Sequence, residues 1–147
     1  MKLITYLTFA GNCEEALNFY KEALDAEILM VSRMGDGQME VPENLKDKIM
    51  HARLRIGENE LYMSDTLDPA SISKGNNVRL SIQIDDATEL ERSFGKLSSG
   101  GSVTMPLQKT FWATSFGMFV DKFGIHWMFN CELSTRTPSE KQEPALN

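Results

Sequence analysis

Hydrophobic and polar residues alternate along several short segments of the chain, and two amphipathic stretches lie between them. Residues 3–9 are rich in β-branched and aromatic types, which predicts a strand. Asn12 then begins a helix and Glu15 follows three residues later, which is the pattern of a capping box. Apolar residues recur at helical spacing after it. The segment 27–33 predicts the second strand.

A long polar segment at 34–49 has no clear element, and we expect a loop there. Two alternating segments, 50–56 and 60–65, predict a hairpin turned by the residues between them. Residues 67–76 are polar and contain Pro69, which is typical of a linker.

The same order of elements then begins again. Residues 78–84 alternate strictly and predict a strand. Asp86 is expected to cap a helix, which Gly100 and Gly101 end. Three further strands are expected at 102–108, 115–120 and 125–131.

An internal repeat is the main organisational feature of the sequence. The helix caps Asn12 and Asp86 lie 74 residues apart, and so do the aromatic residues Tyr20 and Phe94 on the helix faces. The pattern predicts an α+β fold of two tandem βαβββ repeats. Neither repeat can bury its sheet alone, so we expect a curved, half-open mixed β-sheet barrel with the helices outside and a concave pocket inside.

The boundaries of this architecture follow from the same pattern. We expect one domain over residues 1–133, with repeat one at about 1–66 and repeat two at about 77–132. The polar, Pro-rich segment 134–147 is expected to be a disordered tail.

Charge and composition narrow the classes of partner. The formal net charge is −6 and no basic stripe is present, which argues against nucleic acid and anionic membranes as partners. No apolar run approaches a membrane span. Cys13 and Cys131 have no metal-type spacing and are expected to be reduced thiols of a cytoplasmic protein.

Three segments resemble a known family: ITYLTFAGNCEEALNFY at 4–20, MHARLRIGENELYMSD at 50–65, and FWATSFGMFVDKFGIHWMFN at 111–130. Together they resemble PhnB-like proteins of the glyoxalase/bleomycin-resistance/dioxygenase (vicinal oxygen chelate) superfamily, over roughly residues 1–131. The resemblance implies the barrel fold, a small-molecule ligand and a homodimer. The superfamily includes lyases, isomerases, dioxygenases and antibiotic-sequestering proteins, so the resemblance leaves open whether this chain is an enzyme.

The metal site of the superfamily can be tested residue by residue. The resemblance places ligand positions on Thr5, on Met128 and at Met63 or its neighbour, and the 74-residue repeat offset gives Arg79 for the second repeat; metal-using members have His, Glu or Gln at these positions. Thioether, hydroxyl and guanidinium groups cannot replace that set. We therefore predict no metal and no other cofactor, with a different divalent metal site at His51, His126, Asp65 or Asp121 as the less favoured alternative.

Ten residues are candidates for binding a ligand in the pocket, while no catalytic residue can be assigned. They are Thr5, Leu7, Phe9, His51, Met63, Asp65, Arg79, Trp112, Phe116 and Met128. Arg79 would recognise a carboxylate, phosphate or phosphonate by paired hydrogen bonds, or lie solvated at the sheet edge. His51 is a pocket base or a structural residue of the hairpin.

The other candidates also have two interpretations. Asp65 accepts a ligand hydrogen bond or caps the turn into the linker. Trp112 is the better candidate for a pocket wall, whereas strand alternation places Trp127 on the helix side, opposite Met128.

Three functions stay open from the sequence. The first is a dimeric protein that binds or sequesters a small molecule without metal chemistry. The second is a lyase, isomerase or transferase that uses His51, Asp65 or an unusual metal site. The third is a structural or partner-binding module. Ubiquinone methyl transfer has no support, because the sequence has no glycine-rich nucleotide loop for a methyl donor.

Overall fold

Two βαβββ units follow one another in the computed structural model, which describes residues 1–132. They correspond to two compact units, the first over Met1–Gly75 and the second over the described residues from Asn76 onward. The expected tail at 134–147 lies outside the described residues.

Within residues 1–132, eight strands and two α-helices form these units. The first unit contains β1 (Thr5–Phe9), α1 (Cys13–Ala23), β2 (Glu27–Arg33), β3 (Ile49–Ile56) and β4 (Asn59–Asp65). The second unit contains β5 (Leu80–Gln83), α2 (Ala87–Ser98), β6 (Ser102–Gln108), β7 (Ala113–Val120) and β8 (His126–Glu132). The expected order of elements is confirmed, and the expected loop at 34–49 contains two short 3-10 turns, Met34–Asp36 and Glu43–Leu45.

Each unit has one four-stranded mixed sheet. The strand order is β1-β4-β3-β2 in the first unit and β5-β8-β7-β6 in the second. The first strand of each unit pairs parallel with its last strand, and the other pairs are antiparallel. A parallel pair needs a crossover connection, and the helix supplies the first part of it in both units.

The first helix packs on its sheet through a continuous apolar face. Ala16, Leu17 and Tyr20 of α1 are buried, and Leu54 and Met63 of the sheet are fully buried. Burial of this kind is the main driving force for folding a small unit.

The start of α1 differs from the expected capping box. Asn12 makes no side-chain hydrogen bond to the helix. The carboxylate of Asp65, at the end of β4, instead accepts hydrogen bonds from the backbone N–H groups of Gly11 and Cys13. The first helix is therefore capped by a residue distant in sequence, which local sequence patterns do not indicate. The second helix has its expected cap, because Asp86 accepts from the N–H groups of Thr88 and Glu89.

Aromatic side chains form the core of the second unit. Phe94 of α2 lies 4.9 Å from Phe119 and 5.8 Å from Phe129, measured between ring centroids. Trp127 is 2% exposed, and its indole N–H donates to Asp121 Oδ2 at 2.9 Å. The predicted location of Trp127 on the helix side of the sheet is confirmed.

The distance along the chain from the first strand to the helix is one residue shorter in the second repeat than in the first. Thr5 lies opposite Leu61 and Leu80 lies opposite Trp127, and both partners are on the helix side. The first strands are therefore related by an offset of 75 residues, whereas the helices are related by 74. Because side chains alternate along a strand, comparing the two first strands at an offset of 74 matches residues that lie on opposite faces of their sheets.

No helix within residues 1–132 is both long and apolar enough to span a membrane.

Candidate functional site

Each sheet has one face against its helix and one face without a helix. The first helix-free face comprises the side chains that alternate with the buried ones: Tyr6, Thr8, His51, Arg53, Tyr62 and Ser64. The second helix-free face comprises Arg79, Ser81, Gln83, Phe116, Met118, Met128 and Asn130. These faces are the parts of each sheet that the core of its own unit does not use.

An aromatic and imidazole cluster occupies the first helix-free face. The Tyr6 hydroxyl lies 3.0 Å from His51 Nδ1, at hydrogen-bonding distance. The His51 ring also contacts Tyr62 edge-on, with 5.0 Å between centroids. Tyr6 is 47% exposed. The imidazole is therefore oriented by two tyrosines from neighbouring strands. A hydrogen bond at Nδ1 fixes which ring nitrogen is available to another molecule.

Arg53 forms the charged part of the same face. Its guanidinium lies 5.4 Å from the centroid of the Tyr62 ring and donates to Glu60 Oε1 at 2.6 Å. This hydrogen bond raises the pKa of Arg53 and lowers the pKa of Glu60, and the attraction between the two charges acts in the same direction. Arg53 Nε is out of contact with solvent and has no hydrogen-bond partner among the described residues. The pair thus keeps one cation in place beside the tyrosines.

Five of the candidate ligand-binding residues lie on the helix side of the first sheet, whereas the expectation placed them in the pocket. They are Thr5, Leu7, Phe9, Met63 and Asp65. Phe9 and Met63 are buried in the core of the first unit. Thr5, Leu7 and Phe9 lie opposite Leu61, Met63 and Asp65, which are buried toward the helix. The prediction relates Thr5 to Arg79 by 74 residues, whereas the first strands of the two repeats follow an offset of 75. Thr5 and Arg79 are therefore not equivalent positions, and ligand binding by these five residues stays a prediction.

Asp65 has a structural use that explains its burial. Its Oδ1 accepts from Gly11 N at 3.0 Å and Cys13 N at 2.9 Å, and its Oδ2 accepts from Ile49 N at 2.9 Å. Asp65 as a whole is 6% exposed. It joins the end of β4 to the beginning of α1 and of β3. This connection is more extensive than the turn cap considered from the sequence.

Three of the candidates in the second repeat lie on or beside the second helix-free face. Arg79 is exposed one residue before β5, and Phe116 and Met128 are half-buried. Trp112 lies in the connection before β7, with its ring 5.4 Å from that of Phe116 and 4.7 Å from that of Phe111. Their expected locations agree with the register of the second sheet, and their binding of a ligand stays a prediction.

Asn130 is a residue of this face that the sequence did not single out. It lies on the central strand β8 between Gln83 and Phe116. Its Oδ1 is out of contact with solvent and accepts no hydrogen bond from the described residues. Tyr6 and Tyr62 were missed for a different reason, because each lies one residue from a chosen candidate, Thr5 or Met63, and on the opposite face of its strand.

The side chains at the four metal-ligand positions do not suit a divalent cation. On the helix-free face of the first sheet the corresponding positions are Ile4 and Tyr62 instead of Thr5 and Met63, and those of the second sheet stay Arg79 and Met128. Hydroxyl, thioether and guanidinium groups lack the imidazole and carboxylate donors of such sites. Within residues 1–132, no three His, Cys, Asp or Glu side chains come together as a group that could hold a metal.

Cys13 is at the first turn of α1 but is not activated there. Burial, together with the nearby carboxylates of Asp65 and Glu14, raises the pKa of its thiol to about 12. The helix dipole alone would lower it. Desolvation therefore dominates over the effect of the helix dipole on this thiol.

Comparison with known proteins gives one family match over almost the whole described chain. The model of a family described as 3-demethylubiquinone-9 3-methyltransferase matches residues 1–129. Protein YjdN of Escherichia coli K12 is 34% identical over 144 residues, which cover 88% of this chain and 95% of that protein.

Solved structures agree with this match. Protein PA1353 from Pseudomonas aeruginosa is 44% identical, with a TM-score of 0.80 and coverage of 90% of this chain and 98% of that one. A PhnB protein from Bacillus cereus, named as a putative 3-demethylubiquinone-9 3-methyltransferase, is 27% identical with a TM-score of 0.76, covering 89% and 99%. The fosfomycin resistance protein FosX from Listeria monocytogenes is 12% identical with a TM-score of 0.65, covering 97% and 96%, and has the same fold.

Proposed function

This chain belongs to the PhnB-like family of the glyoxalase/bleomycin-resistance superfamily, and from that premise we propose that it binds a small molecule on its helix-free sheet faces without the superfamily's usual metal site. The family description names a methyltransferase. One fold hosts many activities, so the proposal rests on the side chains of the faces.

The observation that carries this proposal is the Tyr6–His51–Tyr62 cluster. On this face three rings contact one another, and one hydrogen bond orients the imidazole. Binding sites commonly combine aromatic surface with a few oriented polar groups. Arg53 adds a cation that could attract an acidic or polarised group of the ligand.

The metal-free part of the proposal rests on residue chemistry. A divalent cation that polarises substrate oxygens needs several imidazole or carboxylate donors. The four positions carry Ile4, Tyr62, Arg79 and Met128 instead, and Arg79 would repel a cation bound near it. We therefore expect ligand recognition by hydrogen bonds, ring contacts and charge.

The proposal is tested by a thermal-shift screen of small acidic and aromatic compounds, repeated on variants. A ligand that stabilises the protein should lose about tenfold in affinity in Tyr6→Phe or His51→Gln, because each change removes an oriented hydrogen bond. Lys21→Gln, an exposed change on α1, is the matched control and should keep the affinity. Binding that all three variants keep would contradict a site on the first helix-free face.

An enzymatic function is the second candidate, and the Tyr6–His51 hydrogen bond favours it. An imidazole held at Nδ1 presents Nε2 as a proton donor or acceptor, which lyases and isomerases need. Once a ligand is found, its turnover with a pH profile that His51→Gln abolishes would establish proton transfer. The methyl transfer of the family description can be tested with a demethylubiquinone analogue and S-adenosylmethionine, and we expect no methylated product because the sequence lacks a glycine-rich nucleotide loop.

The remaining expectations concern assembly and location. We propose a homodimer in the cytoplasm, with neither nucleic acid nor membrane as a partner. The two free, buried cysteines are consistent with a reducing compartment. Light scattering coupled to gel filtration measures the mass, and the mass of a single chain would contradict the dimer.

A further inference from the structure

The second unit has an unusually accessible group of aromatic side chains. Trp112 is 47% exposed and Phe111 is 89% exposed, although both are large and apolar. The Trp112 ring meets Phe116 at 72° between planes, so the two rings form a corner rather than a stack. A corner of two rings can contact a flat molecule on its face and its edge at once.

Asn130 places an unused hydrogen-bond acceptor beside this corner. It is the neighbour of Phe116 across the β7–β8 pair. Its Oδ1 has no donor among the described residues and no contact with solvent, which is unfavourable for an amide oxygen. The residue as a whole is half-buried, and the terminal torsion of an asparagine rotates easily, so the oxygen can turn toward the helix-free face.

We propose that this part of the second helix-free face binds a flat aromatic ring that carries an N–H or O–H donor. Trp112 and Phe116 contact the ring, and Asn130 Oδ1 accepts the hydrogen bond. The inference deepens the proposed function and rests on it, because it names the class of ligand. An aliphatic molecule would lose the ring contacts, and an aromatic molecule without a donor would leave Asn130 unpaired.

Three simple probes separate these requirements. Benzamide has the ring and the donor, N,N-dimethylbenzamide has the ring without the donor, and cyclohexanecarboxamide has the donor without the aromatic ring. The chain has two tryptophans, so the indole N–H signals in a nitrogen-15 spectrum report Trp112 directly. Trp127 donates to Asp121 in the core and serves as the internal reference for an intact fold.

The expected result is that benzamide shifts the Trp112 signal and leaves the Trp127 signal unchanged. Its affinity should exceed that of either other probe by about fivefold or more, as the loss of one hydrogen bond or of the ring contacts implies. Asn130→Leu should abolish the preference for benzamide over its dimethyl form. Asn130→Asp, which retains an acceptor, should keep it.

Equal binding of the three probes, no shift of Trp112, or an Asn130→Leu variant with its preference intact would overturn the inference. Each of these results can occur while compounds from the thermal-shift screen still bind at the Tyr6–His51–Tyr62 cluster, and the proposed function then stands. If no compound of any class binds at either helix-free face, the proposed function fails.

Discussion

Replacing Asp65 by asparagine tests the most connected polar group of the first unit. In the native protein, one carboxylate oxygen accepts from Gly11 and Cys13, and the other accepts from Ile49. Asparagine has the same shape but only one acceptor oxygen. If that oxygen keeps the first two bonds, the amide nitrogen faces the N–H of Ile49, so two donors oppose each other in a buried place.

The magnitude follows from these three bonds. A hydrogen bond to a charged group contributes roughly 1.5–3 kcal/mol, and a buried donor left without its partner costs about as much as the bond provided. The two remaining bonds also weaken, because neutral acceptors bind less strongly than ionised ones. We therefore expect Asp65→Asn to lower the free energy of unfolding by about 3 kcal/mol. Asp65→Ala leaves all three N–H groups unpaired and should cost about 5 kcal/mol.

Urea unfolding followed by far-UV circular dichroism measures this loss, with the slope of free energy against urea compared between variants. Asp85→Asn makes the same chemical change at an exposed position and should alter stability by less than about 0.5 kcal/mol. A loss below about 1 kcal/mol in Asp65→Asn would refute the reasoning, because the three N–H groups would then not depend on the carboxylate.

Three further predictions concern other parts of the chain. The thiol of Cys13, with its pKa raised to about 12, should resist a thiol reagent at pH 8 until urea unfolds the protein; rapid labelling of the folded chain would contradict its burial. The hydrogen bond from Arg33 lowers the pKa of Glu14. The Arg33–Glu14 ion pair is exposed and contributes roughly 0.5 kcal/mol to stability. This contribution is present above about pH 4.5 and is lost as the pH falls through the lowered pKa of Glu14. The gap in urea midpoint between native protein and Glu14→Gln should close in acid, and an unchanged gap at pH 3 would speak against it. A Cβ on Gly101 would overlap backbone atoms of the adjoining turn, whereas one on Gly95 in α2 meets nothing within 4 Å. Gly101→Ala should therefore lower the free energy of unfolding by more than about 2 kcal/mol, and Gly95→Ala should raise it by up to about 1 kcal/mol. Thermal unfolding measures both changes, and equal effects would contradict this placement of the two glycines.

The sequence predicts the order of the elements well because the evidence for each is local. Alternation over residues 78–84 and the cap at Asp86 depend only on neighbours along the chain, and both correspond to elements of the structure. The cap of α1 could not be predicted in the same way. Asp65 lies 52 residues from Cys13, and nothing near Asn12 indicates that a distant carboxylate takes its place.

The candidate site depends on a register that local patterns do not determine. The helix offset of 74 residues is correct for Tyr20 and Phe94, yet the first strands follow an offset of 75. An error of one residue also exchanges the faces of a strand. The count back from Phe19 and Tyr20 chose Thr5 instead of its neighbour Tyr6 in this way. In the second repeat, Arg79 and Met128 lie on the helix-free face of the sheet, where they were expected.

The most direct test of the central claim is a ligand titration of metal-free protein, followed by amide signals in nitrogen-15 spectra. The protein is first treated with a chelator, and elemental analysis establishes that no metal remains. The account predicts that a compound from the screen binds under these conditions and shifts the signals of Tyr6, His51 and Tyr62. Binding that appears only after a stoichiometric divalent metal is added, or shifts confined to Leu7 and Met63 on the helix side, would contradict it.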